Sequence, residues 1–170
     1  MKKITSVILA IALIFALAVT AMAAEIADCT VSADSVSATA GGTVTVPIRI
    51  SGNRGFTNFG IALDYDREQL ELLSIQTAEG ETPYLCGTTV AVNTQWTGTD
   101  EKTFGYVTAA LEEAATADGI LFTATFRVSG DFSGTAAVQP VVQYMRSNKR
   151  LLSVSVSYTH LRAHETELHL

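Results

Sequence analysis

One stretch, Gly55 to Leu72 (GFTNFGIALDYDREQLEL), limits the fold more than any other. Its first half alternates. Phe59, Ile61, Leu63 and Tyr65 fall on one side, and Asn58, Gly60, Ala62 and Asp64 on the other. A repeat of two is the side-chain period of a strand, and one large apolar side marks a half-buried one. The large side belongs in a core. The small, flat, mildly polar side is left for solvent or a docking partner. The strand runs into Asp66-Arg67-Glu68-Gln69-Leu70. Asp66 is placed to cap a single helical turn, and Gln69 stands three residues on, as in a capping box. Leu70 then returns the chain to the core.

The two ends read differently from the middle. Lys2 and Lys3 precede an almost wholly apolar run, Ile4 to Val19, and Ala21-Met22-Ala23 offers a small-x-small cleavage site. This order predicts a secretory signal peptide over residues 1–23 and a mature start at Ala24. The run is short for an uncleaved membrane anchor, which needs about 20 apolar residues. The expectation is a secreted protein, extracellular or at the cell surface. Removing Lys2 and Lys3 takes the formal charge from −6 to −8, a poor balance for binding nucleic acid or anionic membrane. No later segment is long and apolar enough to enter a bilayer. From Ser157 the chain reads SYTHLRAHETELHL, and all three histidines, His160, His164 and His169, fall inside it. This stretch resembles adaptor sequence translated at the ends of metagenomic reading frames. Residues 157–170 are therefore expected to be a non-native tail, and the domain is placed at 24–156.

Between these ends, strand patterns recur and long helical periodicity is absent. Strands are expected near Cys29–Val36, Thr43–Ser51, Phe56–Tyr65, Leu70–Gln76, Thr89–Trp96, Thr103–Leu111, Gly119–Val128, Ala136–Met145 and Leu151–Val156. Pro47 in mid-run predicts a free edge or a bulge, and Pro140 a break or bulge. Glu112 to Asp118 reads as an acidic, alanine-rich loop. About nine short strands with turn residues between them predict an all-β fold, an antiparallel β-sandwich of jelly-roll type. Cys29 and Cys86 are the only cysteines. Export permits a disulfide between them, which would stabilise the fold by about 4 kcal/mol in the chain-entropy description. Two free buried thiols are the alternative.

Three segments in order resemble the cohesin domain, the receptor module of cellulosomes. They are TAGGTVTVPIRISG (Thr39 to Gly52), GFTNFGIALDYDREQLEL, and DGILFTATFRV (Asp118 to Val128). The resemblance implies a nine-strand jelly roll and a non-catalytic task, binding a dockerin module on an enzyme or structural protein. It also implies a docking surface on one flat sheet face that includes Phe56 to Tyr65. Asn58 falls where the family commonly has a contacting asparagine. The family often has an aspartate two residues later, where this chain has Gly60, so one hydrogen-bonding contact is absent. The partner-binding residues expected on this basis are Asn58, Gly60, Ala62 and Asp64. Dockerins carry calcium in their own loops, so no cofactor is expected in this chain and any calcium requirement belongs to the partner.

The rest of the chain offers little catalytic chemistry. No histidine lies between Ala24 and Val156, which removes Ser-His-Asp and Cys-His arrangements and the commonest zinc ligands. Asp64, Asp66, Glu68 and Glu71 form an acidic cluster, readable as a glycosidase carboxylate pair or a calcium site. The plainer reading is one cap and several solvated carboxylates. Trp96 is either part of the core or, with the Tyr84 region, a stacking platform for sugar. The first functional expectation is an exported, non-enzymatic module that recruits dockerin-bearing proteins for polysaccharide degradation. The alternatives are a carbohydrate-binding sandwich, with polysaccharide nearby, or a surface adhesin.

Overall fold

A computed structural model of the chain describes residues 27–87 and 89–163. The expected signal peptide, with His164 and His169, lies outside the described residues. The described chain is built of strands: β1 (Cys29–Ala33), β2 (Ser37–Ala38), β3 (Thr43–Ser51), β4 (Phe56–Tyr65), β5 (Leu70–Gln76), β6 (Ala78–Glu79) and β7 (Thr82–Pro83) come first. They are followed by β8 (Val90–Thr97), β9 (Thr103–Ala115), β10 (Gly119–Val128), β11 (Thr135–Ser147), β12 (Arg150–Leu151), β13 (Val154–Ser157) and β14 (Thr159–Ala163). One sheet runs β13-β1-β3-β10-β5. The other runs β2-β14-β11-β4-β9-β8, with β12 beside β11, and β6-β7 form a separate ribbon. This is the expected all-β jelly-roll sandwich. It is not antiparallel throughout, because β1 pairs β13 and β14 pairs β2 in parallel.

The alternating strands meet face to face. β3 sends Val46, Ile48 and Ile50 inward, β10 sends Phe122, Ala124 and Phe126, and β4 sends Phe59, Ile61 and Leu63, all nearly or fully buried. Each large side chain so buried contributes about 1.5–3 kcal/mol. A register break between Phe56 and Asn58 lets Phe56 join Phe59 in the core, ring edge to ring face at 5.7 Å. A second break, between Ile120 and Phe122, buries Leu121 as well, although strict alternation would have put it on the outer side. Tyr65 closes one end of the core between the rings of Phe104 (5.6 Å) and Phe126 (4.9 Å).

Local chemistry explains the turns. Pro47 sits where β1 has run out. Its carbonyl accepts from the Asp34 amide, and β1 pairs with β3 only over Ile48–Ser51. Its missing N–H therefore faces an edge with no strand to bond. The corner after β4 is the expected single turn: the Leu70 amide donates to the Asp66 carbonyl four residues back at 2.9 Å. The Asp66 carboxylate accepts from the Glu68 amide at 2.9 Å, but the reciprocal half of the capping box is not made, and Gln69 Oε1 is buried without a partner among the described residues. Pro140 stays inside β11, and the irregularity falls at Gln143 instead. β9 extends to Ala115, so Glu112 and Glu113 lie on an exposed strand end and not in a loop. Asp118 then accepts from the Gly52 and Asn53 amides, while Asn53 Nδ2 donates to the carbonyls of Ala115 and Ala117. That clamp fixes the turn before β4 against the turn after β9.

The sandwich runs on through Ala163, past the expected boundary at Val156. β14 pairs with β11, and Leu161 is buried in the core. At the other side, Asp28 takes two hydrogen bonds of 3.0 Å from Arg150 and one from the Ser153 amide. The Arg150 partner holds its carboxyl below the usual carboxylate range.

Of the two states left open for the cysteines, the structure has the free thiols. Cys29 and Cys86 are free and buried, with Cys29 Sγ directed at Met145 Sδ, 3.5 Å away. Burial pushes the Cys29 thiol up to about 11 and the Cys86 thiol up to about 12. The reactive thiolate is therefore scarce at neutral pH. The folded protein at pH 8, with no reductant added, should leave both cysteines unlabelled by a thiol reagent, and denaturant should expose two. Rapid labelling before unfolding, or none after it, would contradict this.

Candidate protein-binding face

The outer face of the β11-β4-β9-β8 sheet carries all four site residues expected from the sequence. The register sets their neighbours. Asn58 lies between Ala110 and Arg146, Gly60 between Thr108 and Tyr144, Ala62 between Tyr106 and Val141, and Asp64 between Thr103 and Gln139. The structure corrects one expectation about this face. Its middle is not open: Gly60 and Ala62 are buried, while Asn58 and Asp64 are half-buried.

Two tyrosines cover the middle, and two bulges put them there. On β9 the register slips at Gly105, so that Phe104 opposes Leu63 in the core while Tyr106 opposes Ala62 on the outside. Gly105 holds φ at 62°, a left-handed conformation that glycine adopts without penalty and that is common in such bulges. On β11 the slip is at Gln143, so that Val142 opposes Ile61 and Tyr144 turns outward opposite Gly60. Without these slips, Phe104 and Tyr106 would share a side, as would Val142 and Tyr144. A methyl group added at Gly60 would lie on the Tyr106 hydroxyl and 2.6 Å from Tyr144 Cε1. Gly60 is the hollow in which both rings rest.

The hydroxyls form one network. Thr108 Oγ1 donates to the Phe59 carbonyl at 2.9 Å and lies 3.0 Å from Tyr144 Oη. Burial, followed by the neighbouring Tyr144 phenol, pushes the Tyr106 hydroxyl up. Trp96 of β8 leans on Tyr106, with ring centroids 5.1 Å apart and planes at 33°. Arg146 lies 5.5 Å over the Tyr144 ring. The face is thus a row of Trp96, Tyr106, Tyr144 and Arg146 across four strands. Tyr106, Tyr144, Thr108 and Arg146 were not among the residues expected from sequence. The available signal was Gly60 itself, since glycine inside a strand often marks close approach by another group.

The other candidates separate. Glu71 pairs with Arg127 at 2.7 Å and Asp66 holds its turn. Among the described residues, no three histidine, cysteine or acidic side chains gather as a metal site. Trp96 also lines a cavity of about 270 Å³ between β5 and β8, with Arg67 and Phe104, and Tyr84 is not part of its wall.

The chain is thus a two-sheet jelly roll with one aromatic-studded sheet face. The Cohesin domain family profile matches residues 29–157, and the chain belongs to that family. No curated protein matches. Among solved structures, the seventh ScaB type I cohesin of Pseudobacteroides cellulosolvens superposes with a TM-score of 0.65 at 16% identity, covering 84% of this chain and 96% of that one. A non-cellulosomal cohesin from Archaeoglobus fulgidus gives 0.65 at 20% identity, covering 83% and 94%. A type I cohesin–dockerin complex from Clostridium thermocellum gives 0.63 at 15% identity, covering 80% and 99%. At these identities the likeness concerns the fold.

Gly60→Asp, which restores the family's common carboxylate, should destabilise the protein by about 1–3 kcal/mol through overpacking under the tyrosines. Urea unfolding measures it. In a Tyr106→Ala, Tyr144→Ala background the same change should cost much less. Equal costs in both backgrounds would contradict the packing described.

Proposed function

We propose that the chain is an exported, non-catalytic module that recruits dockerin-bearing enzymes or structural proteins, in an assembly that degrades polysaccharide. Partner docking would use the outer face of β11-β4-β9-β8. Family membership supports the class of task, and the solved complexes of related fold support the partner. The observation that carries the reading is the position of Asn58. It is half-buried on that face, at the place where the family commonly has a contacting asparagine, beside the exposed Arg146 and the aromatic row.

The chemistry of docking follows from the face. The aromatic rings offer large, rigid apolar area of the kind that dominates interface energies. The small, exposed Ala110 lets a partner helix approach beside the rings. Asn58 and the hydroxyl network supply the polar groups that set register. The hydroxyls are already tied to one another and to the Phe59 carbonyl, so little side-chain order remains to be imposed on binding. Export is supported by the signal-like start of the sequence.

Calorimetric titration with calcium-loaded dockerins tests the reading. Binding is expected with at least one of them. Asn58→Arg, with an unchanged circular dichroism spectrum, should weaken it about tenfold or more. Chelating calcium should abolish binding by unfolding the partner's loops while leaving this protein's melting temperature unchanged. Undiminished affinity of the Asn58 variant would place docking elsewhere.

A further inference from the structure

Basic side chains gather at one end of the docking face, opposite in sign to the whole chain. The sequence carries 17 acidic and 11 basic residues. Yet exposed Arg54, Arg146, Lys149 and Arg150 all lie where β4 begins and β11 ends. The hairpin that carries Lys149 and Arg150 is fastened there, because the Asn148 amide donates to Thr57 Oγ1 at 2.8 Å. Arg150 is neutralised by Asp28. Arg54, Arg146 and Lys149 make no ion pair among the described residues.

None of the acids nearest this end forms an ion pair with Arg146 among the described residues. Asp28 is held by Arg150, and Asp118 is held by the Gly52 and Asn53 amides. Glu112 and Glu113 lie on the exposed end of β9, across β4 from Arg146. Asp64 is at the far end of β4, about 20 Å from Asn58 at the rise of a strand. Gly60 stands where relatives commonly bring an aspartate, so the middle of the face adds hydroxyls and no charge. Asn58, next to Arg146, has its Oδ1 buried with no partner among the described residues. A carboxylate cannot serve that oxygen, but it can accept from the amide Nδ2 of the same side chain.

We infer that the Asn58–Arg146 end of this face receives a carboxylate. The partner's docking helix would carry an Asp or Glu that pairs with the Arg146 guanidinium and accepts from the Asn58 amide, while its apolar flank lies on Tyr144 and Tyr106. Arg146 is suited to this because its planar guanidinium can hold a carboxylate through two parallel bonds. It already rests near the Tyr144 ring, which limits the freedom lost on pairing. Partners presenting Lys or Arg at that position would meet like charge, so the basic end also excludes them. This inference rests on the docking reading and names the chemistry of the partner that reading requires.

The test uses the full chain and two sets of calcium-loaded dockerins, one presenting Asp or Glu on the docking helix and one presenting Lys or Arg there. The acidic set is expected to bind more tightly, with an association rate that falls as salt is raised. Arg146→Glu should weaken the acidic set by about tenfold or more and strengthen the basic set. Arg146→Lys, which keeps the charge but not the two parallel bonds, should weaken the acidic set by less than Arg146→Glu does. If dockerins bind but the two sets are alike and Arg146→Glu changes affinity less than about twofold, the inference fails and the docking reading stands. If no dockerin of either set binds, both fail.

Discussion

The structure depends on a strand with no free side. β4 has β9 on one edge and β11 on the other, with the opposing sheet beneath it and two tyrosine rings above. Its inner residues, Phe59, Ile61 and Leu63, are fully buried. Its outer residues, Gly60 and Ala62, are buried as well, which requires that they be small. The packing density of a protein interior leaves no room for a carboxylate at Gly60 while Tyr106 and Tyr144 occupy that hollow. The residue that departs from the family pattern is therefore matched by its neighbours. Where the cohesin resemblance implies a carboxylate, this chain has a glycine beneath two tyrosine rings.

That arrangement links packing to function. The Gly105 and Gln143 bulges turn one tyrosine outward from each strand beside β4. Bulges commonly redirect a side chain close to a functional site. Here they set hydroxyls and ring faces on the sheet and join them through Thr108 to the backbone of β4. The surface so made is rigid, flat at one side where Ala91 and Ala110 lie, and basic at the Arg146 end. A rigid aromatic surface with a basic end gives affinity through its rings and orientation through its charge.

Much of this was legible in the sequence, for identifiable reasons. β4 and β10 alternate strictly over most of their length, and each segment was readable from side-chain period alone. The fold class followed from the spacing of strands and turns, and the Pro47 edge from the missing amide hydrogen. The outward tyrosines were not legible. Phe104 and Tyr106 are two residues apart and would share a side in any regular strand, and only the pairing of β9 with β4, nearly fifty positions away, shows that Gly105 separates them. The same holds for Val142 and Tyr144. Gly60 was read as a lost contact because its neighbours across the sheet were unknown. The acidic cluster around Asp64 shows the converse, since closeness in sequence on a strand and a turn did not bring its carboxylates together.

The most direct test of the account is residue-by-residue mapping of amide chemical shifts while the isotope-labelled protein is titrated with a calcium-loaded dockerin that binds it. The account predicts that the largest changes fall on Asn58, Tyr106, Thr108, Tyr144 and Arg146, with the outer face of β3 and β10 little affected. Changes concentrated on β3, β10 and β5, or around the cavity beside Trp96 and Arg67, would contradict it.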